Sequence, residues 1–107
     1  MRRFVALRRK ADFIALRRHG RRVSTPILTL YCGGSLPEDR SSLVGISVAK
    51  AIGIAVVRNK LRRRISAIVS DALAQRERLR LLVVPRPGAA SAPFSRLRTE
   101  LTTALNR

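Results

Sequence analysis

The chain is poor in the residue types from which protein active sites are built. It has one histidine, His19, one cysteine, Cys32, and no tryptophan. Its six carboxylates, Asp12, Glu38, Asp39, Asp71, Glu77 and Glu100, are scattered, and only Glu38 and Asp39 are neighbours. General acid–base catalysis needs two groups converging on one reacting bond. A lone His and a lone Cys make neither a zinc site nor an oriented nucleophile–base pair. None of the six glycines stands in a GxxxxGK[ST] pattern, so there is no P-loop. We therefore expect no catalytic side chain and no metal ligand set. A single cysteine excludes an internal disulfide and the disulfide frameworks of small secreted domains. The N-terminal MRRFVALRRKADF is basic but has no apolar run of signal-peptide length. No stretch approaches the roughly 20 apolar residues of a membrane span. These absences read as a cytoplasmic protein without a membrane partner. Aromatics are also few, Phe4, Phe13, Tyr31 and Phe94, too sparse for a sheet of stacking rings.

What is present is positive charge. The 107 residues carry 23 Lys and Arg against 6 Asp and Glu, a net charge of +17. Arg outnumbers Lys 20 to 3, and Arg suits bidentate phosphate contacts. The apolar fraction of 46% excludes a disordered basic tail, and the length fits a single domain over residues 1–107. Such a charge works against the compact state and favours anionic partners.

Hydrophobic periodicity predicts an α/β order. A short helix spans Asp12–Arg18, with Asp12 as N-cap and Gly20 as the stop. Arg21-Arg22-Val23 leads toward a strand. A strand over Ile27–Cys32 puts Ile27, Thr29 and Tyr31 on one face and Leu28, Leu30 and Cys32 on the other. A solvated loop leads to a second strand, Leu43–Val48, read as its hairpin partner. Gly45 within that strand implies a close approach or a bulge. A long helix from about Val57 to Arg76 carries the apolar stripe Leu61, Ile65, Ile68, Val69, Ala72 and Leu73. Leu79–Val84 is apolar at nearly every position, as in a central strand covered on both faces. Phe94, Leu97, Leu101 and Leu105 mark a C-terminal helix with Phe94 in the core.

The densest cluster is Arg58-Asn59-Lys60-Leu61-Arg62-Arg63-Arg64, at the start of the long helix after Gly53. No acid occurs between Arg40 and Asp71, whereas a merely solvated face mixes signs. The cluster suits a polyanion, and neutralising several phosphates gives tight, salt-sensitive binding. The Asn59 amide can fix a turn or touch a sugar or base. Phe13 and Tyr31 either pack as ordinary core or line a groove beside the first helix that stacks a base.

The stretch Lys50-Ala51-Ile52-Gly53-Ile54-Ala55-Val56-Val57-Arg58-Asn59-Lys60-Leu61-Arg62-Arg63 resembles the K-x-G-N-A-V-x-R-N-R-x-K-R block of the bacterial ribonuclease P protein family. Asp12-Phe13 with Gly20-Arg21, Val44 to Val48, and Pro85 to Ala90 with Phe94, Leu97 and Leu101 extend the likeness to about residues 7–105. The chain departs at Ile54, where the family has asparagine, and at Ala51 and Ser66, where it has basic residues. Lys60 stands for an arginine, and Arg17 for an aromatic one turn after Phe13.

The resemblance implies a two-layer α/β (α+β) sandwich of about four strands and three helices, similar to RNA-binding ribosomal folds, with a left-handed strand–helix–strand crossover. It implies the protein subunit of ribonuclease P. A catalytic RNA with Mg²⁺ removes the 5′ leader of precursor tRNA, and no obligate protein partner is needed. On this reading Arg58, Asn59, Lys60, Arg62, Arg63 and Arg64 meet the catalytic RNA. Lys50 and Gly53 shape the approach, and Phe13, Arg17 and Tyr31 face the leader. The rival readings are a ribosomal or RNA-assembly protein, and a protein-only nuclease, which the scarcity of carboxylates opposes.

Overall fold

A computed structural model describes residues 3–107; Met1 and Arg2 lie outside the described residues. Five strands form one mixed sheet: β1 (Phe4–Ala6), β2 (Arg21–Ser24), β3 (Leu28–Gly34), β4 (Ser42–Ile46) and β5 (Leu79–Pro85). The helices are α1 (Lys10–His19), α2 (Ala55–Leu73) and α3 (Phe94–Leu105), with short 3₁₀ turns at Lys50–Ile52 and Pro87–Ser91. The strand order is β1-β4-β5-β3-β2. β5 runs parallel to β4 and antiparallel to β3, so Leu82 lies between Gly45 and Tyr31.

The continuous apolar run of β5 fits this central place. Leu81 and Val83 point into the main core with Leu28 and Leu30 of β3 and Val44 of β4. α2 and α3 cover that face through Leu61, Ile65, Ile68, Val69, Leu97 and Leu101. Each of these helices buries one stripe, so most of its stability comes from packing. Leu82 points to the opposite face, where α1 contributes Leu16 and the β1–α1 link contributes Leu7. Helices thus cover both faces of the sheet, thickly on one and thinly on the other.

Several expectations change. A fifth strand, β1, pairs in parallel with β4, Phe4 beside Ser42. β3 and β4 are not a hairpin, because β5 lies between them. α2 starts earlier and stops earlier than expected, covering Ala55–Leu73. α1 starts at Lys10 with no side-chain cap, and Asp12 lies inside its first turn, bound to Arg80 instead. Ile27 precedes β3. Its carbonyl accepts from the Arg86 amide and its side chain joins the α2–α3 core, away from Thr29 and Tyr31. Phe94 is 39% exposed on the first turn of α3, with the Arg98 guanidinium 5.8 Å from its ring centre. The core stripe of α3 begins at Leu97.

Candidate RNA interface

α2 presents its cations around a helix whose apolar stripe is already spent on the core. Lys60 and Arg63 are exposed, and Arg58, Arg62 and Arg64 are half-buried. Among the described residues none of these five forms an ion pair. Four of the six carboxylates are instead paired with Arg80, Arg96 and Arg98. The first turn of α2 contains no acid and has no side-chain cap. Its free amide groups and its dipole add positive potential to that of the side chains.

Local bonds orient two of the arginines. Arg58 Nε donates to the Gly53 carbonyl at 3.1 Å, which folds the side chain back over the entry to the helix. A Cβ on Gly53 would stand 3.1 Å from Val57 Cγ1, so this turn is closely packed. Arg62 Nη1 donates to Asn59 Oδ1 at 3.0 Å. In the free protein the Asn59 oxygen therefore aims an arginine and does not close a turn, while its NH₂ remains available as a donor. Lys50 is exposed on the 3₁₀ turn just before α2. Ile54 and Val56 are 72% and 73% exposed, so this rim of the platform carries aliphatic surface.

The second group lies on the other face of the sheet. The Phe13 ring rests on β4 at Gly45, where a Cβ would come within 2.7 Å of Phe13 Cε1. This is the close approach that a glycine inside the strand implied. Phe13 and Tyr31 are both half-buried against the small cluster of Leu7, Leu16 and Leu82. Arg17, one turn after Phe13, places its guanidinium 5.6 Å from the Tyr31 ring centre, in cation–π range. The structure thus brings Phe13, Arg17 and Tyr31 together between α1 and the sheet. It also adds a residue that sequence reasoning missed. Arg22 of β2 pairs directly with Tyr31 in the antiparallel register, so its side chain leaves the sheet on the same face. The signal was a basic residue in a short strand, but its neighbour depends on a register that the strand itself does not encode.

Beneath α1 lies an ion cluster. Arg80 of β5 donates from Nη1 to Asp12 Oδ1 at 2.8 Å, and from Nε and Nη2 to the two oxygens of Asp39 at 2.9 Å each. Asp39 also accepts from the Leu36 amide at 2.8 Å. Bonds from Arg80, and then from the Leu36 amide, lower the Asp39 carboxyl from 3.8 to about 2. The same carboxylate holds the Arg80 guanidinium above its ordinary range. Among the described residues no three His, Cys, Asp or Glu side chains are grouped to share a metal ion. Asp12 and Asp39, which approach one point, are both taken by Arg80. Among the described residues no helix is long and apolar enough to cross a membrane.

Comparison with known proteins identifies the family. Residues 1–107 match the Ribonuclease P protein family. The ribonuclease P protein component of Acidothermus cellulolyticus is 39% identical over 102 residues, covering 94% of this chain and 85% of the relative. That of Streptomyces griseus is 38% identical over 112 residues, covering 94% and 89%. Among solved structures, the Staphylococcus aureus RNase P protein superposes with a TM-score of 0.85 at 25% identity, covering 94% of this chain and 92% of that one. A Thermotoga maritima RNase P protein shares the fold, with a TM-score of 0.82 and 97% of its length covered. A basic α+β domain with a cationic helix start, matched by the family over residues 1–107 and similar to these relatives over 94% of its length, belongs to the family of bacterial ribonuclease P protein components.

Proposed function

We propose that this chain is the protein subunit of an RNA-based endonuclease that removes the 5′ leader from precursor tRNA in the cytoplasm. One observation carries the reading. Five cations on two turns of α2 have no carboxylate partner among the described residues, although four carboxylates are paired elsewhere. A folded domain that leaves such a platform open has a polyanion as its natural counterpart, and counterion release supplies the affinity. Arg58, Asn59, Lys60, Arg62, Arg63 and Arg64 bind the catalytic RNA, with Lys50 and Gly53 at the edge of that contact. Gly53 acts through its carbonyl, which holds Arg58.

The groove of Phe13, Arg17 and Tyr31 binds the single-stranded leader. Half-buried rings offer stacking surfaces to unpaired bases, and Arg17 and Arg22 lie within reach of the adjoining phosphates. Mg²⁺ belongs to the RNA, which carries the cleavage chemistry, because the carboxylates here are scattered or already paired. The protein contributes binding and orientation, and it requires no second protein.

The deciding assay is cleavage of precursor tRNA by the purified protein, the catalytic RNA, and both together, at low Mg²⁺. We expect cleavage at the mature 5′ end only with RNA present, and stimulation by the protein. Cleavage by protein alone overturns the reading in favour of a protein nuclease. RNA binding without any stimulation favours a ribosomal or assembly role. In the same system Arg58→Ala with Arg63→Ala should weaken binding to the catalytic RNA. The slope of log K against log salt should fall by about one unit per lost phosphate contact.

A further inference from the structure

We propose that Arg80 is a positioning residue for the α1 groove: by holding Asp12 it fixes the start of α1 and so sets where Phe13 stands relative to Tyr31. The proposal rests on the reading that this groove receives the leader.

Arg80 lies on β5 with its side chain 13% exposed, and all three guanidinium nitrogens are engaged. The planar fork binds Asp39 through two nitrogens and Asp12 through the third, which holds the two carboxylates at a set angle to each other. Asp39 is the fixed side. The Leu36 amide bonds its carboxylate, and Arg78 Nη1 donates to its carbonyl at 2.8 Å. Asp12 is the side that reaches a helix.

That helix has little else to locate it. α1 has no side-chain N-cap, and Leu16 is its only buried residue. Phe13 follows Asp12 directly, and its ring lies on the one position of β4 that has no Cβ to hold it off. A shift of the first turn therefore moves the ring across Gly45 and changes the gap to Tyr31. Two of six carboxylates converge on one arginine, in a chain where cations outnumber acids 23 to 6.

The test uses the protein reconstituted with its catalytic RNA and measures affinity for precursor tRNA and for mature tRNA. The readout is the ratio of the two. Asp12→Ala should lower the preference for precursor by roughly fivefold, the low end of what one base–aromatic stack supplies. Asp12→Asn keeps an acceptor for Nη1 and should restore most of it. Asp39→Ala, which removes two of the three bonds that anchor Arg80, should lower the melting temperature and lower the ratio by less than Asp12→Ala does, because the Nη1 contact to Asp12 is kept. If Asp12→Ala does not fold, Asp12→Glu carries the test: it keeps the charge but displaces the helix, and should also lower the ratio.

A strut with no positioning role predicts otherwise. Asp12 and Asp39 variants would both lose stability with the ratio unchanged, and that result overturns the proposal. Phe13→Ala and Tyr31→Ala separate the two failures. If they shift the ratio and the Asp12 variants do not, the Arg80 proposal alone falls. If they leave the ratio unchanged, the leader reading falls and takes this proposal with it.

Discussion

On the α2–α3 face of the sheet, Leu81 and Val83 are fully buried among side chains from three strands and two helices. One residue away along the same strand, Leu82 and Val84 face α1, where Leu7, Leu16 and Leu82 form a small buried apolar cluster and Phe13 and Tyr31 stay half open. The charges divide in the same way. Beneath α1 the cation is enclosed and matched by two carboxylates, whereas on α2 five cations have no carboxylate partner among the described residues. A thick core on one face lets the other remain thin, so its rings can serve a ligand. A helix held by a large core can also carry repulsion that a marginal helix would not tolerate.

The sharpest way to break this comparison is to cut equally into both faces. Leu81→Ala should cost about 2–5 kcal/mol of unfolding free energy, a large part of a small domain's total. Leu16→Ala should stay at the lower end of that range, about 2 kcal/mol, because its surroundings collapse more easily. Urea titrations followed by circular dichroism compare the two. Equal losses would mean that the α1 face is as firm a core as the other.

Gly45→Ala probes the thin face from below. The new methyl meets Phe13 Cε1 at 2.7 Å and Cζ at 2.9 Å. Overpacking of this kind costs about 1–3 kcal/mol. Adding Phe13→Ala should recover much of the loss, giving a strongly non-additive double-mutant cycle. Additive losses would mean that the ring does not rest on the strand in solution.

The unmatched cations predict a response to anions. An ion that binds only the folded state at ten times its Kd stabilises it by about 1.4 kcal/mol. Sulfate or phosphate should therefore raise the melting temperature saturably, and chloride at equal ionic strength should do less. A rise that follows ionic strength alone would mean that α2 holds no organised phosphate site.

The matched cation predicts a response to acid. Asp39 titrates lower when folded than the ordinary 3.8, at about 2. Its contribution is complete above the unfolded value and disappears as pH falls through that window. Asp39→Asn should flatten the loss of stability between about pH 4 and 2, and should leave the shape of the curve above pH 5 unchanged. An identical acid limb in the variant would mean that the cluster contributes nothing to the fold.

Much of the thick face is legible in the sequence. The spacing of Leu61, Ile65, Ile68, Val69 and Leu73 marks the buried stripe of α2, and the unbroken run Leu79–Val84 marks a central strand. The cationic helix start is equally plain, and so is the demand of Gly45 for a close neighbour. What is hidden depends on partners far away in the chain. β1 is three residues long and pairs with β4, 38 residues on, so no local pattern announces it. Alternation defines β3 and β4 as strands but does not say that β5 separates them. Asp12 has the sequence signature of a cap, yet a guanidinium 68 residues away claims it. Phe94 falls on the apolar period of α3 but at its first turn, beyond the reach of the sheet. The groove is hidden for the same reason, since Arg22 meets Tyr31 only through strand register.

The place of β5 has a consequence for synthesis on the ribosome. Both inner edges of the sheet, on β3 and on β4, face a strand that begins at Leu79. While the first three-quarters of the chain emerge, β1 has β4 and β2 has β3, but nothing joins the two pairs. The nascent protein thus carries two half-sheets with open edges and a net positive charge, and both gaps close with the arrival of one seven-residue segment.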